Sequence, residues 1–177
     1  MIIRGEKIIL RAVETDDNAM LLSLINDPDT EMMLGGSSGP ISEAEQLKWF
    51  DHLERTKDIL RCIIAVLGDR TAVGTVILSD IDQKNGTGHI HIKMSKEGRG
   101  KGYATDAVNT LVKYAFNELR LHCIYANILE YNDASVRLFE KCNFKRDGVL
   151  RARVFKNGKY FNMFTYSILL EDCGVNG

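Results

Sequence analysis

Cysteine, proline and tryptophan are scarce in this 177-residue chain, which has four Cys, two Pro and one Trp. The cysteines, Cys62, Cys123, Cys142 and Cys173, are scattered and form no C-x-x-C pair. Neither a disulfide framework nor a zinc site is indicated, so no metal is expected. Three of them lie in apolar segments and read as buried free thiols. An excess of one charge is also missing, because 23 Lys and Arg balance 24 Asp and Glu. A net charge of -1 gives no general attraction to nucleic acid or anionic lipid. Long hydrophobic runs are absent as well, the longest being Cys62 to Leu67, far too short to cross a bilayer. The first residues, Met1 to Lys7, turn charged before reaching signal-peptide length, so a cytoplasmic protein without a membrane partner is expected. No internal repeat or low-complexity tract occurs, and residues 1–177 suit a single domain.

What is present is a clear alternation of strand and helix patterns. Ile8-Ile9-Leu10 reads as a strand, and Thr15-Asp16-Asp17 supplies capping chemistry for a helix carrying Leu21, Leu22, Leu24 and Ile25. Asn26-Asp27-Pro28 ends that helix, and the Gly- and Ser-rich stretch from Thr30 to Pro40 reads as a mobile loop suited to a substrate lid. Ser42 and Glu45 form a capping box ahead of Leu47, Phe50 and Leu53 at helical spacing. Trp49, Phe50 and Phe116 read as core packing. Leu60 to Leu67, Ala72 to Ile81 and Gly88 to Met94 are β-rich runs that predict an antiparallel meander. A helix bearing Ala104, Val108, Leu111, Val112, Ala115 and Leu119 on one face follows, then a strand from Cys123 to Leu129 and a helix capped by Asn132 and Asp133. Asn157-Gly158 divides Val149 to Ile168 into a C-terminal hairpin. The expected class is α+β, one mixed and mostly antiparallel sheet flanked by helices.

The chemically informative stretch is Glu97-Gly98-Arg99-Gly100-Lys101-Gly102-Tyr103-Ala104-Thr105, between a strand and a helix. Alternating glycines let successive N–H groups point into one hollow at a helix N-terminus, which is how phosphate is held without side chains. Arg99 and Lys101 add positive charge, and Thr105 adds a hydroxyl donor. A tight strand-to-helix connection with no ligand is the plainer reading of the same glycines. The spacing fails a Walker A loop, because Gly102 rather than Ser or Thr follows Lys101. It also fails the dinucleotide fingerprint, since no parallel βαβ run precedes it.

This segment resembles motif A of the GNAT superfamily, in which a Gln/Arg-x-x-Gly-x-Gly/Ala loop holds the pyrophosphate of acetyl-CoA. Gly100-Lys101-Gly102 fits its core, with Glu97 at the position usually held by Gln or Arg. Asn132 to Phe144 is similar to the family's Asn-x-x-Ala-x-x-Leu-Tyr-x-Lys-x-Gly-Phe signature, with Asn143 in place of its Gly and Phe139 in place of its Tyr. The likeness extends from Leu10-Arg11 to Asn157-Gly158 and is nearest the branch of spermidine and ribosomal-protein N-terminal acetyltransferases. It implies a GNAT fold and an N-acetyltransferase that uses acetyl-CoA and releases coenzyme A. The implied cofactor contacts are Ile92, Lys93 and Met94 on a splayed strand, Arg99, Gly100, Lys101, Gly102, Tyr103, Ala104 and Thr105 in the turn, and Asn132, Ser135, Phe139 and Lys141 beyond it. Within the splayed strand a free main-chain N–H, with Met94 among its candidates, would bind the thioester oxygen.

An attacking amine must first lose a proton. His89 and His91 alternate on one strand and share a face with Lys93, so either is a candidate base; two ordinary histidines on a half-exposed strand are the alternative. Asp80 and Asp82 could hold a cationic acceptor or simply form a solvated turn. Phe139 lacks the hydroxyl that relatives use to protonate the thiolate, leaving Tyr131, Tyr160, a water, or no acid at all. The implied partner is a small-molecule or peptide amine: a protein N-terminus or an amino sugar ahead of a polyamine, because residues 30–40 lack dense carboxylates. A catalytically silent acyl-CoA-binding module is the alternative function. Family members often form homodimers, and the aromatic hairpin from Leu150 to Tyr166 offers such a surface, although core packing explains the same residues.

Overall fold

The computed structural model describes residues 1–35, 39–53 and 57–173. Strands β1 (Ile3–Arg4) and β2 (Ile8–Arg11) precede helices α1 (Asn18–Ile25), α2 (Pro28–Met32) and α3 (Glu43–Asp51). Strands β3 (Leu60–Val66), β4 (Ala72–Asp82) and β5 (Thr87–Met94) form the expected meander. Helix α4 (Tyr103–Asn117), strand β6 (Cys123–Leu129) and helix α5 (Asp133–Lys141) lead into the hairpin of β7 (Lys145–Lys156) and β8 (Lys159–Leu169). One sheet results, in the order β1-β2-β3-β4-β5-β6-β8-β7. Every neighbouring pair is antiparallel except β5 and β6, which run parallel. The α+β architecture with a mostly antiparallel mixed sheet and a C-terminal hairpin is therefore the one the patterning predicts.

Local chemistry accounts for the element ends. Ser42 and Glu45 close a reciprocal capping box on α3, and the Asn132 side chain accepts from the Ser135 amide at the start of α5. Thr15–Asp17 does not cap α1 directly. It forms a short 3-10 turn whose Asp17 carboxylate binds Arg11 at 2.6 and 2.8 Å. The expected loop from Thr30 begins as helix α2 instead, because Pro28 occupies its first turn and Asp27 accepts from both the amide and the hydroxyl of Thr30. Gly36, Ser37 and Ser38 of the expected lid lie outside the described residues. Asn157 and Gly158 both have positive φ, 47° and 78°, as the tight hairpin requires.

The sheet separates two apolar layers. Ile8, Leu10, Ile64, Val76, Leu78 and Ile90 face α4 and α5, where Val108, Leu111 and Phe139 complete the main core. Ile9, Ile63 and Ala65 face the other way, towards Met20 and Leu21 of α1. Of the aromatics expected to pack, Phe116 does, but Trp49 stays 36% exposed with its ring edge-on to Phe50. Helix α3 has one buried residue, Gln46, so it leaves Trp49 at its rim. The hairpin aromatics also divide, with Tyr166 buried but Phe155 and Tyr160 at 59% and 69% exposure, so core packing does not explain the latter two.

Two features position the site. Strands β5 and β6 pair only at Thr87↔Cys123, Gly88↔Ile124 and His89↔Tyr125, and then separate. Meanwhile the Asp106 carboxylate, in the first turn of α4, accepts main-chain amides of Glu6, Lys7 and Ile8 at 3.1, 2.7 and 3.1 Å. Gly5 makes that approach workable, since a Cβ there would lie 2.6 Å from the same carboxylate. Replacing Asp106 with Ala strips three amides of their charged acceptor, and a loss of about 2 kcal/mol in urea unfolding is expected.

Candidate active site

The turn before α4 concentrates free main-chain donors. Gly98 donates to Ser95 and the Arg99 amide to Lys96, so those two N–H groups are spent in a short 3-10 turn. From Gly100 to Thr105 no main-chain amide has a protein acceptor among the described residues; the first helical bond is Asp106 N–H to the Gly102 carbonyl. Gly100 and Gly102 take φ of 74° and 81°, in the left-handed region that favours glycine, and this turns the chain so that six consecutive donors crowd the helix N-terminus. The turn thus satisfies Arg-x-x-Gly-x-Ala as Arg99-Gly100-Lys101-Gly102-Tyr103-Ala104. Glu97 is not the residue at the Gln/Arg position; it sits two residues back, inside the 3-10 turn.

Side chains near the turn differ from expectation in two ways. Arg99 reaches the Met94 carbonyl at 3.3 Å and the Thr30 hydroxyl at 3.1 Å, and its guanidinium lies 4.0 Å from Asp27, so it braces the end of β5 against α2. Lys7, which no local motif marks, brings its ammonium within 3.1 Å of where a Gly102 Cβ would be. Only the Asp106 contacts, linking positions about a hundred residues apart, put Lys7 there. Lys141 lines a groove of about 760 Å³ together with Lys7, Gly102, Thr105, Asn143 and residues of β1 and α4.

The separation of β5 from β6 has a second consequence. Ser95 donates to the Val73 carbonyl at 2.9 Å, one step beyond the Gly74↔Met94 pair. Since alternate residues of an antiparallel strand turn their amides to the same neighbour, Lys93 and His91 point theirs at β4. Ile92 and Met94 point theirs into the widening gap. Of the three strand positions expected to contact a cofactor, Ile92 and Met94 have a main-chain donor in place, and Lys93 does not.

A cleft of about 510 Å³ opens at this gap, lined by His89, His91, Ile92, Lys93, Asn132, Ser135, Phe139 and Arg153, among others. Phe139 is 3% exposed and edge-on to Phe144 at 4.9 Å, so the cleft has a ring and no hydroxyl at that point. Neither tyrosine considered as a substitute faces it. The Tyr131 hydroxyl donates to the Met32 carbonyl at 2.6 Å, and Tyr160 is on the exposed hairpin tip. Asn132 uses its oxygen on the Ser135 amide and its nitrogen on the Met33 carbonyl at 3.1 Å, tying α5 to the end of α2.

The histidines belong to one hydrogen-bonded chain. A bulge in β4 forces Asp80 to φ 50° and sets its carboxylate 3.5 Å from His89 Nδ1. Ser79 Oγ lies 3.2 Å from the same carboxylate and 2.9 Å from His91 Nε2. A serine has a single proton, and giving it to Asp80 makes His91 Nε2 a donor. His89 Nε2 and His91 Nδ1 are then left as acceptors. The rings lie 3.9 Å apart and His89 stacks on Tyr125 at 4.6 Å. Desolvation holds His89 below the ordinary histidine range, against the pull of Asp80. Desolvation lowers His91 too, aided by His89 and Lys93; one edge of its ring opens to the cleft, where water moderates the effect. Asp82, by contrast, is spent on Lys84 and Asn85 and is a turn residue.

The turn gathers free main-chain donors at a helix N-terminus, beside a strand whose unpaired amides face a cleft. The chain belongs to the GNAT acetyltransferase family, whose domain model matches residues 7–145. It is 29% identical over 172 residues to the SPbeta prophage-derived uncharacterized N-acetyltransferase YokL of Bacillus subtilis, covering 97% of this chain and 95% of that protein. It is 27% identical over 156 residues to the spermidine N(1)-acetyltransferase of Vibrio cholerae, covering 88% and 89% of the two chains. The crystal structure of spermidine N-acetyltransferase from Vibrio cholerae in complex with CoA and spermine superposes with a TM-score of 0.87 at 25% identity, covering 95% and 98%.

Lys7 gives this site a direct check. Lys7→Ala should raise the KM for acetyl-CoA about three- to tenfold and leave kcat unchanged, because the charge lies by the turn and away from the cleft.

Proposed function

We propose that the protein is an acetyl-CoA-dependent N-acetyltransferase that modifies the primary amine of a small molecule or a peptide N-terminus. The observation that carries this reading is the pairing of six unbonded amides, Gly100 to Thr105, with the Ile92 and Met94 amides that face the gap between β5 and β6. The turn, with Lys7 and Lys101 beside it, would hold the diphosphate of acetyl-CoA. That group supplies a thioester carbonyl to be attacked by the amine. Residues Ile92, Ser135 and Phe139 border the space where the acyl end belongs. Amides aimed at a carbonyl oxygen that gains charge contribute about 3 kcal/mol to lowering such a barrier.

The His89 and His91 pair serves as the proton acceptor, directly or through one water. Each ring presents one unprotonated nitrogen, and rings this close take up one proton and resist a second. Asp80 is the positioning residue: it fixes the His89 tautomer and stabilises its cation. Among the described residues no side chain is placed to protonate the departing sulfur, so coenzyme A leaves as thiolate, which a thiol with a pKa of about 8.5 permits at modest cost. Phe139 is also the one feature favouring a silent acyl-CoA-binding module. Release of free thiol in the presence of amines separates the two, since a silent module would bind acetyl-CoA and release none. Self-association through the exposed tip of the β7–β8 hairpin belongs to the same reading.

The pH dependence follows from the base. Its neutral form is required and its pKa is depressed, so kcat/KM should hold down to pH values below about 6.5 and fall only as the pair becomes protonated. Asp80 opposes that depression, so Asp80→Asn should move the acidic limb to still lower pH while reducing the plateau about tenfold. An unmoved limb would take the histidines out of the mechanism. Phe139→Tyr should raise kcat severalfold with the KM for acetyl-CoA unchanged, as read by stopped assays of thiol release; an unchanged kcat would mean that departure of the thiolate does not limit turnover.

A further inference from the structure

The charged groups around the acceptor side of the cleft are unbalanced, and the imbalance points to what the acceptor carries. Lys93 shares a sheet face with Thr75 and Ile63, the face that packs on α1, whereas Ile90 and α4 share the opposite core. The sheet therefore stands between the Lys93 side chain and the phosphate-holding turn, so a diphosphate bound there cannot neutralise this lysine. Lys93 is half-buried, lines the cleft, and has no hydrogen bond or ion pair among the described residues. Desolvation lowers its pKa, as expected of an ammonium held away from water without a partner.

Arg153 lines the same cleft from β7, again with no ion pair or hydrogen bond among the described residues. A bulge between Leu150 and Val154, with Ala152 at φ 46°, breaks the regular pairing of β7 where Arg153 occurs. Among the described residues the nearby carboxylates are already occupied. Glu31 lines the cleft but is bound by the buried Lys156, and Asp80 is engaged by Ser79 and His89. Two cations without counter-charges thus face a space whose histidines are held neutral. A half-buried ammonium without a partner costs free energy that a bound anion returns.

We infer that the amine acceptor carries an anionic group, a carboxylate or a phosphate, which Lys93 and Arg153 hold while the amine faces the histidines. This rests on the acetyltransferase reading above and narrows its substrate class. A polyamine would bring additional ammonium groups into a cleft already positive. An anionic acceptor removes that conflict, and the same two cations favour loss of the amine's own proton.

The test compares kcat/KM for acetyl transfer, with products identified by mass, across matched pairs: glucosamine and glucosamine 6-phosphate, phenylalaninamide and phenylalanine, with spermidine as a polycation. The anionic member of at least one pair should be favoured at least tenfold, and which pair shows the preference identifies phosphate or carboxylate. That ratio should fall below threefold in Lys93→Met and in Arg153→Met and be retained in Lys93→Arg, which keeps charge and bulk; thermal melting confirms that each variant is folded. Equal use of the paired amines, better use of spermidine, or a preference that survives both Met variants overturns the inference and leaves the enzymatic reading standing. Transfer to none of these amines with no thiol release overturns both.

Discussion

The site depends on β5 and β6 ceasing to pair after His89 and Tyr125. A parallel ladder carried to the end of both strands would spend the Ile92 and Met94 amides on β6 and leave no space between the strands. Because β4 holds β5 on one side and β8 holds β6 on the other, both strands stay extended after they part. The unpaired edge inside the molecule is thereby kept rigid. A loop could offer the same donors, but only with the reorganisation that a fixed strand avoids.

That opening also divides the chemistry by side. Alternation along β5 turns Ile90, Ile92 and Met94 towards the core under α4 and turns His89, His91 and Lys93 towards α1. Free main-chain donors gather at one end of α4, while the histidines and Lys93 gather on the opposite face. In the proposed reading one strand of eight residues serves both, with its main chain addressing the acyl carbonyl and its side chains addressing the acceptor.

Much of this was legible in the residue order. The meander, both later helices, the Asn157-Gly158 hairpin and the glycine-dense turn each carry local signals strong enough to survive packing, and the two-residue alternation of His89 and His91 showed that they share a face. What escaped was tertiary or very short. Strand β1 has two residues and no pattern. Helix α2 was hidden by the glycines that follow it. Lys7 reaches the turn only through the Asp106 contacts, and the position of Asp80 depends on a bulge that no local motif announces. The alternating glycines allow two registers of the turn, two residues apart; the positive φ at Gly100 and Gly102 selects the one with Arg99 at the Gln/Arg position. Tyr131 and Asn132 looked available for chemistry, yet both are engaged by carbonyls at the end of α2.

Lys156, buried on β7, binds both the carboxylate of Glu31 and, at 3.2 Å, its carbonyl. One wall of the cleft is therefore a joint between the C-terminal hairpin and a short helix near the start of the chain. None of its parts belongs to the glycine-dense turn before α4 or to β5. Such a layout lets descent with modification reshape which amines are accepted by altering the joint alone, while the donor-handling half is inherited intact.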